Sequence, residues 1–165
     1  KKVPDVSTSM QSQVSRMYIT SLFKNKTFLI SDLDMVPMNK SYFLNNAKKV
    51  KRDQLLIYTA NGYGHEAQTR YPMCYNLAYG ETYTEILDLN CTFEEFIKRI
   101  KELNFEFEYD SDELYLGKYV REFELKNPER LVKLERGFGE VGQPATLREA
   151  TQETIFECHH IRQSR

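Results

Sequence analysis

The sequence has no tryptophan, only three cysteines and almost no net charge. Its 23 lysines and arginines nearly balance 24 aspartates and glutamates, so it lacks the basic surplus typical of general nucleic-acid binding. An odd number of cysteines without metal-type spacing favours reduced thiols over a disulfide framework. The sequence also lacks the run of about 18 apolar residues that a membrane-spanning helix needs. These absences predict a soluble protein, cytoplasmic unless an upstream signal or stalk directs it to a lumen.

What the sequence does contain is one domain of alternating helical and strand patterns within 165 residues. The periodicity of the apolar residues predicts helices at 7–23, 40–50, 81–87, 92–103 and 114–123, and strands at 27–30, 54–59, 105–107, 131–134 and 154–158. Segment 72–78 takes no firm assignment, and 61–70 and 137–144 are predicted as loops. The alternation predicts an α/β fold with a single open sheet, mixed but mostly parallel, flanked by helices.

The stretch TFLISDLDMVPM, residues 27–38, carries the clearest chemical signal. A short apolar strand leads into Asp32 and Asp34, which project to the same side if the chain stays extended. Two carboxylates about 5 Å apart repel each other by about 3 kcal/mol at an effective dielectric near 20, so the pair favours a bound cation or proton. Mg²⁺ and Mn²⁺ both fit, because each takes carboxylate and phosphate oxygens. Pro37 is predicted to end the strand.

The helix before this strand carries two polar residues on the flank of its apolar stripe. Gln13 and Arg16 lie about one turn apart, and Arg16 is a partly sheltered cation just ahead of the acids. We expect Arg16 to contact Asp32 or a phosphate group.

Further polar clusters follow the later apolar segments. They are the loop 61–70, the acidic run that contains Asp112 and Glu113, and the pair His159 and His160. Acids at a helix start are also explained by capping and by the helix dipole. Because ligands in open α/β sheets bind beyond the carboxyl ends of the strands, we expect the clusters to converge on one site.

Two segments, QVSRMYITSLF and TFLISDLDMVPMNKSYF, resemble the nucleotide-sugar-dependent glycosyltransferases of the GT-A fold. In that family an arginine-bearing helix precedes a strand that ends in an Asp-x-Asp motif. Weaker similarity follows in family order at YPMCYNLAYG, DSDELYLGKY and ECHHIR. The resemblance implies metal-dependent transfer of a sugar from a UDP- or GDP-sugar donor to a hydroxyl of a carbohydrate acceptor.

The same resemblance implies a role for each matching residue. Asp34 would be the principal ligand of Mn²⁺ or Mg²⁺, and Asp32 would contact the ribose, the sugar or the metal through water. His159 would complete the metal site, although His160 is an equally suitable ligand by its chemistry. Arg16 would hold Asp32 or the donor.

Two further roles complete the implied site. Gln13 would assist in binding the donor. Asp112 or Glu113 matches the acid that serves as general base in inverting members, where it takes the proton of the acceptor hydroxyl.

Members of the family usually begin with a strand and a helix that bind the nucleoside base, whereas this sequence opens on the arginine-bearing helix. The expectation is therefore a GT-A-like catalytic domain over residues 1–165 without that first unit. Two alternatives remain open. The D-L-D-M-V sequence also has the form found in haloacid-dehalogenase-type phosphatases, with Asp32 as nucleophile. A non-catalytic relative that binds sugar nucleotides or glycans is the other.

Overall fold

The computed structural model describes residues 2–32, 35–37, 39–63, 70–105, 108–135, 138–139, 143–144 and 157–159. The helices are α1 (Thr8–Ser21), α2 (Lys40–Ala47), α3 (Gly80–Ile86), α4 (Phe93–Glu102) and α5 (Ser111–Lys126). The strands are β1 (Thr27–Ile30), β2 (Met35–Pro37), β3 (Leu55–Ile57), β4 (Asn76–Tyr79), β5 (Leu131–Lys133), β6 (Phe138–Gly139), β7 (Gln143–Pro144) and β8 (Glu157–His159).

Four of these strands form one open mixed sheet in the order β1-β4-β3-β5. Strand β4 is antiparallel to both of its neighbours, and β3 is parallel to β5. Strands β1, β3 and β5 therefore point in one direction and β4 in the other. The prediction of an α/β fold with an open mixed sheet and flanking helices is confirmed. The expectation of one sheet with mostly parallel pairing was wrong, because two of the three pairings in this sheet are antiparallel and β2-β8 and β6-β7 form separate two-stranded sheets.

Alternate side chains of the sheet enter two apolar clusters, as the pleat requires. Leu55 and Ile57 belong to the larger cluster, which also takes buried residues from α1, α3, α4 and α5. Leu56 belongs to the smaller cluster, where it joins Phe43 of α2 and Tyr75. Helices thus cover both faces of the sheet, and the ends of the strands are left for a site.

Helix starts follow the capping signals in the sequence. The side chain of Ser7 accepts a hydrogen bond from the backbone N–H of Met10 at the start of α1. At α4, Thr92 and Glu95 form the predicted capping box. The side chain of Thr92 accepts a hydrogen bond from the backbone N–H of Glu95, and the side chain of Glu95 accepts one from the backbone N–H of Thr92. Cys74 and Cys91 form no disulfide bond among the described residues.

Several predicted boundaries were wrong. Helix α2 ends at Ala47 rather than near 50, and α5 begins at Ser111 rather than at 114 and runs on to Lys126. The early start of α5 has a physical reason, since Asp112 and Glu113 lie in its first turn, where the helix dipole favours negative charge.

The strand predictions also needed correction. Segment 72–78 contains most of β4, and the predicted loop 137–144 contains the paired strands β6 and β7. Of the predicted last strand at 154–158, residues 154–156 lie outside the described residues, and β8 covers Glu157–His159. The predicted strand at 105–107 falls mainly on residues that the structure does not describe. Among the described residues, none of the helices is long and apolar enough to cross a bilayer.

Candidate functional site

A cleft of about 950 Å³ opens where β1 and β3 end and β4 begins. Helix α1 and the first turn of α5 form its walls. Its polar lining includes Gln13, Arg16, Asp32, Tyr63, Asp112 and Glu113. Most of the residues singled out in the sequence are therefore neighbours in space, as the convergence at strand ends predicted.

Arg16 joins three separate parts of the chain. Its Nη1 donates to Asp32 Oδ1 and, at 3.3 Å, to the backbone carbonyl of Ser31, just after β1. Its Nη2 donates to Asp112 Oδ2 in the first turn of α5. The predicted contact between Arg16 and Asp32 is confirmed, whereas the contact with Asp112 was not foreseen.

The electrostatic environment keeps this arginine charged. Burial by itself would lower the pKa of Arg16, but the attraction and hydrogen bonds of Asp112 and Asp32 raise that pKa above its ordinary value. The Nε atom of Arg16 is buried and has no hydrogen-bond partner among the described residues. Asp112 is only 2% exposed, and its second oxygen accepts the backbone N–H of Glu113 at 2.9 Å.

Glu113 is held differently from Asp112. The hydroxyl of Tyr63 lies 2.6 Å from both of its carboxyl oxygens, and the backbone N–H of Met73 donates to Oε1 at 3.4 Å. Burial raises the pKa of Glu113 above its ordinary value, and the hydrogen bond from Tyr63 opposes that rise. Glu113 is therefore the carboxyl group of the cleft whose surroundings favour accepting a proton.

Arg70 supports the same wall of the cleft. Its guanidinium group lies over the ring of Tyr63, 4.1 Å from the centroid, and pairs with Asp110 at 3.0 Å. Its Nη1 is 4.0 Å from Glu113 Oε2. From the sequence, 61–70 was predicted as a polar loop at the site, but Tyr63 and Arg70 were not predicted as site residues. The aromatic and cationic side chains of that loop were the signal that could have identified them.

Gln13 also lines the cleft. Its Nε2 donates to the backbone carbonyl of Tyr109 at 3.1 Å, which ties α1 to the turn before α5. This contact gives Gln13 a role in joining the two helices that carry the charged residues.

The predicted metal ligands are only partly described. Asp32 is at the cleft, Asp34 and His160 lie outside the described residues, and His159 is described by its backbone alone. Strands β2 and β8 are antiparallel, with His159 opposite Met35, the residue that follows Asp34 in the sequence. Within the described ranges, no group of three or more His, Cys, Asp and Glu side chains is arranged to hold a metal ion.

Fold and site together define an α/β domain with an acidic cleft at its strand ends, in which one arginine joins two carboxylates. Comparison with protein-family models, with curated proteins and with solved structures found no match.

Proposed function

We propose that this domain transfers a sugar from a nucleoside-diphosphate sugar to a hydroxyl group of a carbohydrate acceptor in a metal-dependent reaction, on a GT-A-like fold. One observation carries the proposal. Residues from α1, from the end of β1 and from the first turn of α5 meet in one cleft, where Arg16 pairs with Asp32 and Asp112 and Glu113 stands beside them. This is the combination of cation, carboxylates and proton acceptor that such a transfer requires.

A divalent cation would be held by Asp32, Asp34 and His159, with His160 as the alternative ligand. The donor atoms fit, because carboxylate oxygens with an imidazole suit Mn²⁺, and carboxylates suit Mg²⁺. The Asp32 side chain is 29% exposed at the cleft and engages Arg16 through Oδ1, which leaves Oδ2 for a ligand. The pairing of β2 with β8 supports the inclusion of His159. When bound, the ion would offset the negative charge of the diphosphate leaving group.

Glu113 is the better candidate for the general base. Asp112 is the better candidate for a residue that positions Arg16 and Glu113. Both oxygens of Asp112 already accept hydrogen bonds, from Arg16 and from the backbone of Glu113. Glu113 would take the proton of the acceptor hydroxyl as the acceptor oxygen bonds to the anomeric carbon and the bond from that carbon to the diphosphate oxygen breaks. The acceptor hydroxyl would replace the Tyr63 hydroxyl as the partner of Glu113.

The phosphatase alternative uses the same residue in a different role. Asp32 Oδ2, which does not engage Arg16, would be the nucleophile, so turnover of p-nitrophenyl phosphate that is lost in Asp32→Asn would favour this alternative over the transferase.

Calorimetry with UDP- and GDP-sugars, with and without Mn²⁺, tests the proposal. We expect one donor to bind only when the ion is present, because the acidic cleft needs a cation before it accepts a diphosphate. Asp34→Ala should abolish that binding, whereas Glu94→Ala, which removes an exposed carboxylate on α4, should leave it unchanged. Equal affinity with and without the metal, or equal affinity in Asp34→Ala, would contradict the proposal.

Turnover separates an enzyme from a binding protein. With a donor that binds, Glu113→Gln should lower kcat on an acceptor by about 10²- to 10⁴-fold while donor affinity is retained. Donor binding without transfer to any acceptor in a glycan panel would instead favour the non-catalytic alternative.

A further inference from the structure

The end of the sheet opposite the cleft carries a lysine-rich surface. Thr27 at the start of β1 is paired with Tyr79 at the end of β4, and β3 starts at the same end of the sheet. The connections that lead into β1 and β3 therefore emerge there, away from the cleft at the other ends of these strands.

Hydrogen bonds join these two connections to one helix start. The backbone N–H of Glu81 donates to the carbonyl of Lys24, and that of Gly80 donates to the carbonyl of Lys26, each at 2.9 Å. From the other side, the hydroxyl of Thr82 donates to the carbonyl of Arg52 at 2.7 Å. Both connections thus flank the first turn of α3 and belong to one surface.

Five exposed lysines on these connections form what we call the basic end: Lys24, Lys26, Lys48, Lys49 and Lys51. Among the described residues, none of the five is within ion-pair distance of a carboxylate, and Lys24 donates to the neutral amide of Asn90 at 3.0 Å. The acids nearby are engaged elsewhere, since Glu81 pairs with Arg52 and Glu85 pairs with Arg130. Glu81 also attracts Lys24 at longer range, so the described residues offset the positive charge of the basic end only in part.

Two apolar side chains project beside these lysines. Leu22 is 61% exposed and Phe23 is 50% exposed, and they immediately precede Lys24 at the end of α1. A nucleic-acid duplex or another hydrophilic polyanion would bind the lysines and gain nothing from these apolar groups. A single strand would stack a base on Phe23 but gain nothing from the more exposed Leu22. A bilayer surface accommodates both, with the lysines at the headgroups and the apolar side chains in the boundary with the acyl chains.

From this arrangement we propose that the basic end docks on a bilayer that contains anionic lipid. The acidic residues of the cleft, Asp32, Asp110, Asp112 and Glu113, lie at the opposite ends of the strands. The negative surface potential of such a bilayer attracts the basic end and repels the cleft. The docked protein therefore keeps its cleft open to the aqueous phase.

Co-sedimentation of the 165-residue chain with vesicles tests this proposal. Vesicles of phosphatidylcholine alone are compared with vesicles that also contain phosphatidylserine. We expect binding only to the anionic vesicles, with affinity that falls as salt is added, because screening shortens the reach of the lysines. Equal binding to both kinds of vesicle, or binding to neither, would overturn the proposal.

Matched charge reversals locate the surface. Each lysine near an anionic bilayer contributes about a fivefold factor in affinity, so Lys48→Glu with Lys49→Glu should weaken binding by at least about 25-fold. Lys98→Glu with Lys101→Glu is the control, since it changes the net charge equally on α4. Lys101 donates to the carbonyl of Asp5 beside the start of α1, and the 14 residues of α1 separate that site from the basic end by about 21 Å. Equal losses in the two double variants would refute the assignment to the basic end.

The apolar pair distinguishes a bilayer from a soluble polyanion. Leu22→Ser with Phe23→Ser should weaken vesicle binding without any change in charge, and Leu22→Ser alone should do so to a lesser degree. Leu22→Ser is included because the ring of Phe23 lies 6.5 Å from that of Phe28, so its replacement could also affect folding. Unchanged vesicle binding in Leu22→Ser, or tight binding of duplex DNA by the unmodified chain, would overturn the bilayer as the partner.

Discussion

Arg16 is the residue on which the charge balance of the cleft depends. Its removal would leave Asp112, 2% exposed, without its cationic partner. Because an uncompensated buried charge is strongly destabilising, Arg16→Met should lower the free energy of unfolding by about 3 kcal/mol. Denaturant unfolding at neutral pH measures this loss, and the dependence on denaturant concentration should stay the same.

Two further variants test the cause of that loss. Arg16→Met combined with Asp112→Asn removes both charges and should recover part of the stability. Arg52→Met breaks the exposed pair with Glu81 and should stay close to the unmodified protein. If Arg16→Met were no less stable than Arg52→Met, the buried pair would have no structural importance.

Glu113 gives the protein a pH dependence of definite sign. Since burial raises its pKa in the folded state, the folded protein binds this proton more tightly than the unfolded chain does. Its contribution to stability is fully present below the unfolded pKa of about 4.3 and is lost as the pH rises through the raised folded value. The stability of the unmodified protein relative to Glu113→Gln should therefore fall across that window, as measured by denaturant unfolding at a series of pH values. A constant difference would contradict the raised pKa.

Tyr63 limits how far this pKa rises. Its hydroxyl donates to Glu113 and thereby favours the charged carboxylate. Tyr63→Phe should move the pKa of Glu113 further up, which carbon NMR of labelled glutamate carboxyl groups can follow through the titration. Tyr109→Phe, at an exposed ring, is a matched control and should leave that titration unchanged.

At the scale of secondary-structure elements, helices were predicted better than strands. Helices α1 and α4 can be predicted from their N-terminal caps, which are Ser7 for α1 and the capping box of Thr92 and Glu95 for α4. Both helices also have apolar residues at helical spacing. Those signals are local, so the sequence contains them in full. Strands of two to four residues such as β4, β6 and β7 are too short for a clear alternation and depend on partners elsewhere in the chain.

The contact between α1 and α3 depends on Gly80, the first residue of α3, having no side chain. A Cβ atom on Gly80 would lie 2.4 Å from the carbonyl oxygen of Thr20 and 2.6 Å from that of Phe23. Alanine is the better helix former by about 1 kcal/mol, yet the overlap with backbone atoms should cost more than that gain. We expect Gly80→Ala to lower Tm in thermal unfolding. Asn45→Ala, at an exposed position of α2, should leave Tm unchanged or raise it slightly, and a higher Tm in Gly80→Ala would show that α1 and α3 can separate freely.

At the scale of the whole molecule, the sequence predicted which segments meet but not which side chains pair. The proximity of Arg16 to Asp32 followed from a helix that precedes a strand ending in acids. Its second partner, Asp112, is 96 residues away, and that contact depends on how α1 packs against α5. The pairing of Tyr63 with Glu113 is likewise set by tertiary packing, which no local pattern encodes.

The reversed direction of β4 has a consequence for how this domain can change. Because β3 and β4 are antiparallel neighbours, the connection 58–75 leaves the sheet and returns to it at the same end, beside the cleft. Closing such a loop costs only about 0.6 kcal/mol more when its length doubles. Its two ends belong to the apolar core, where Tyr58 and Tyr75 are fully buried, so the part that can gain or lose residues without altering the sheet lies between Tyr63 and Arg70. New ligand preferences can be introduced there by exchanging one segment of chain, while the framework that holds Arg16 and Asp32 is kept.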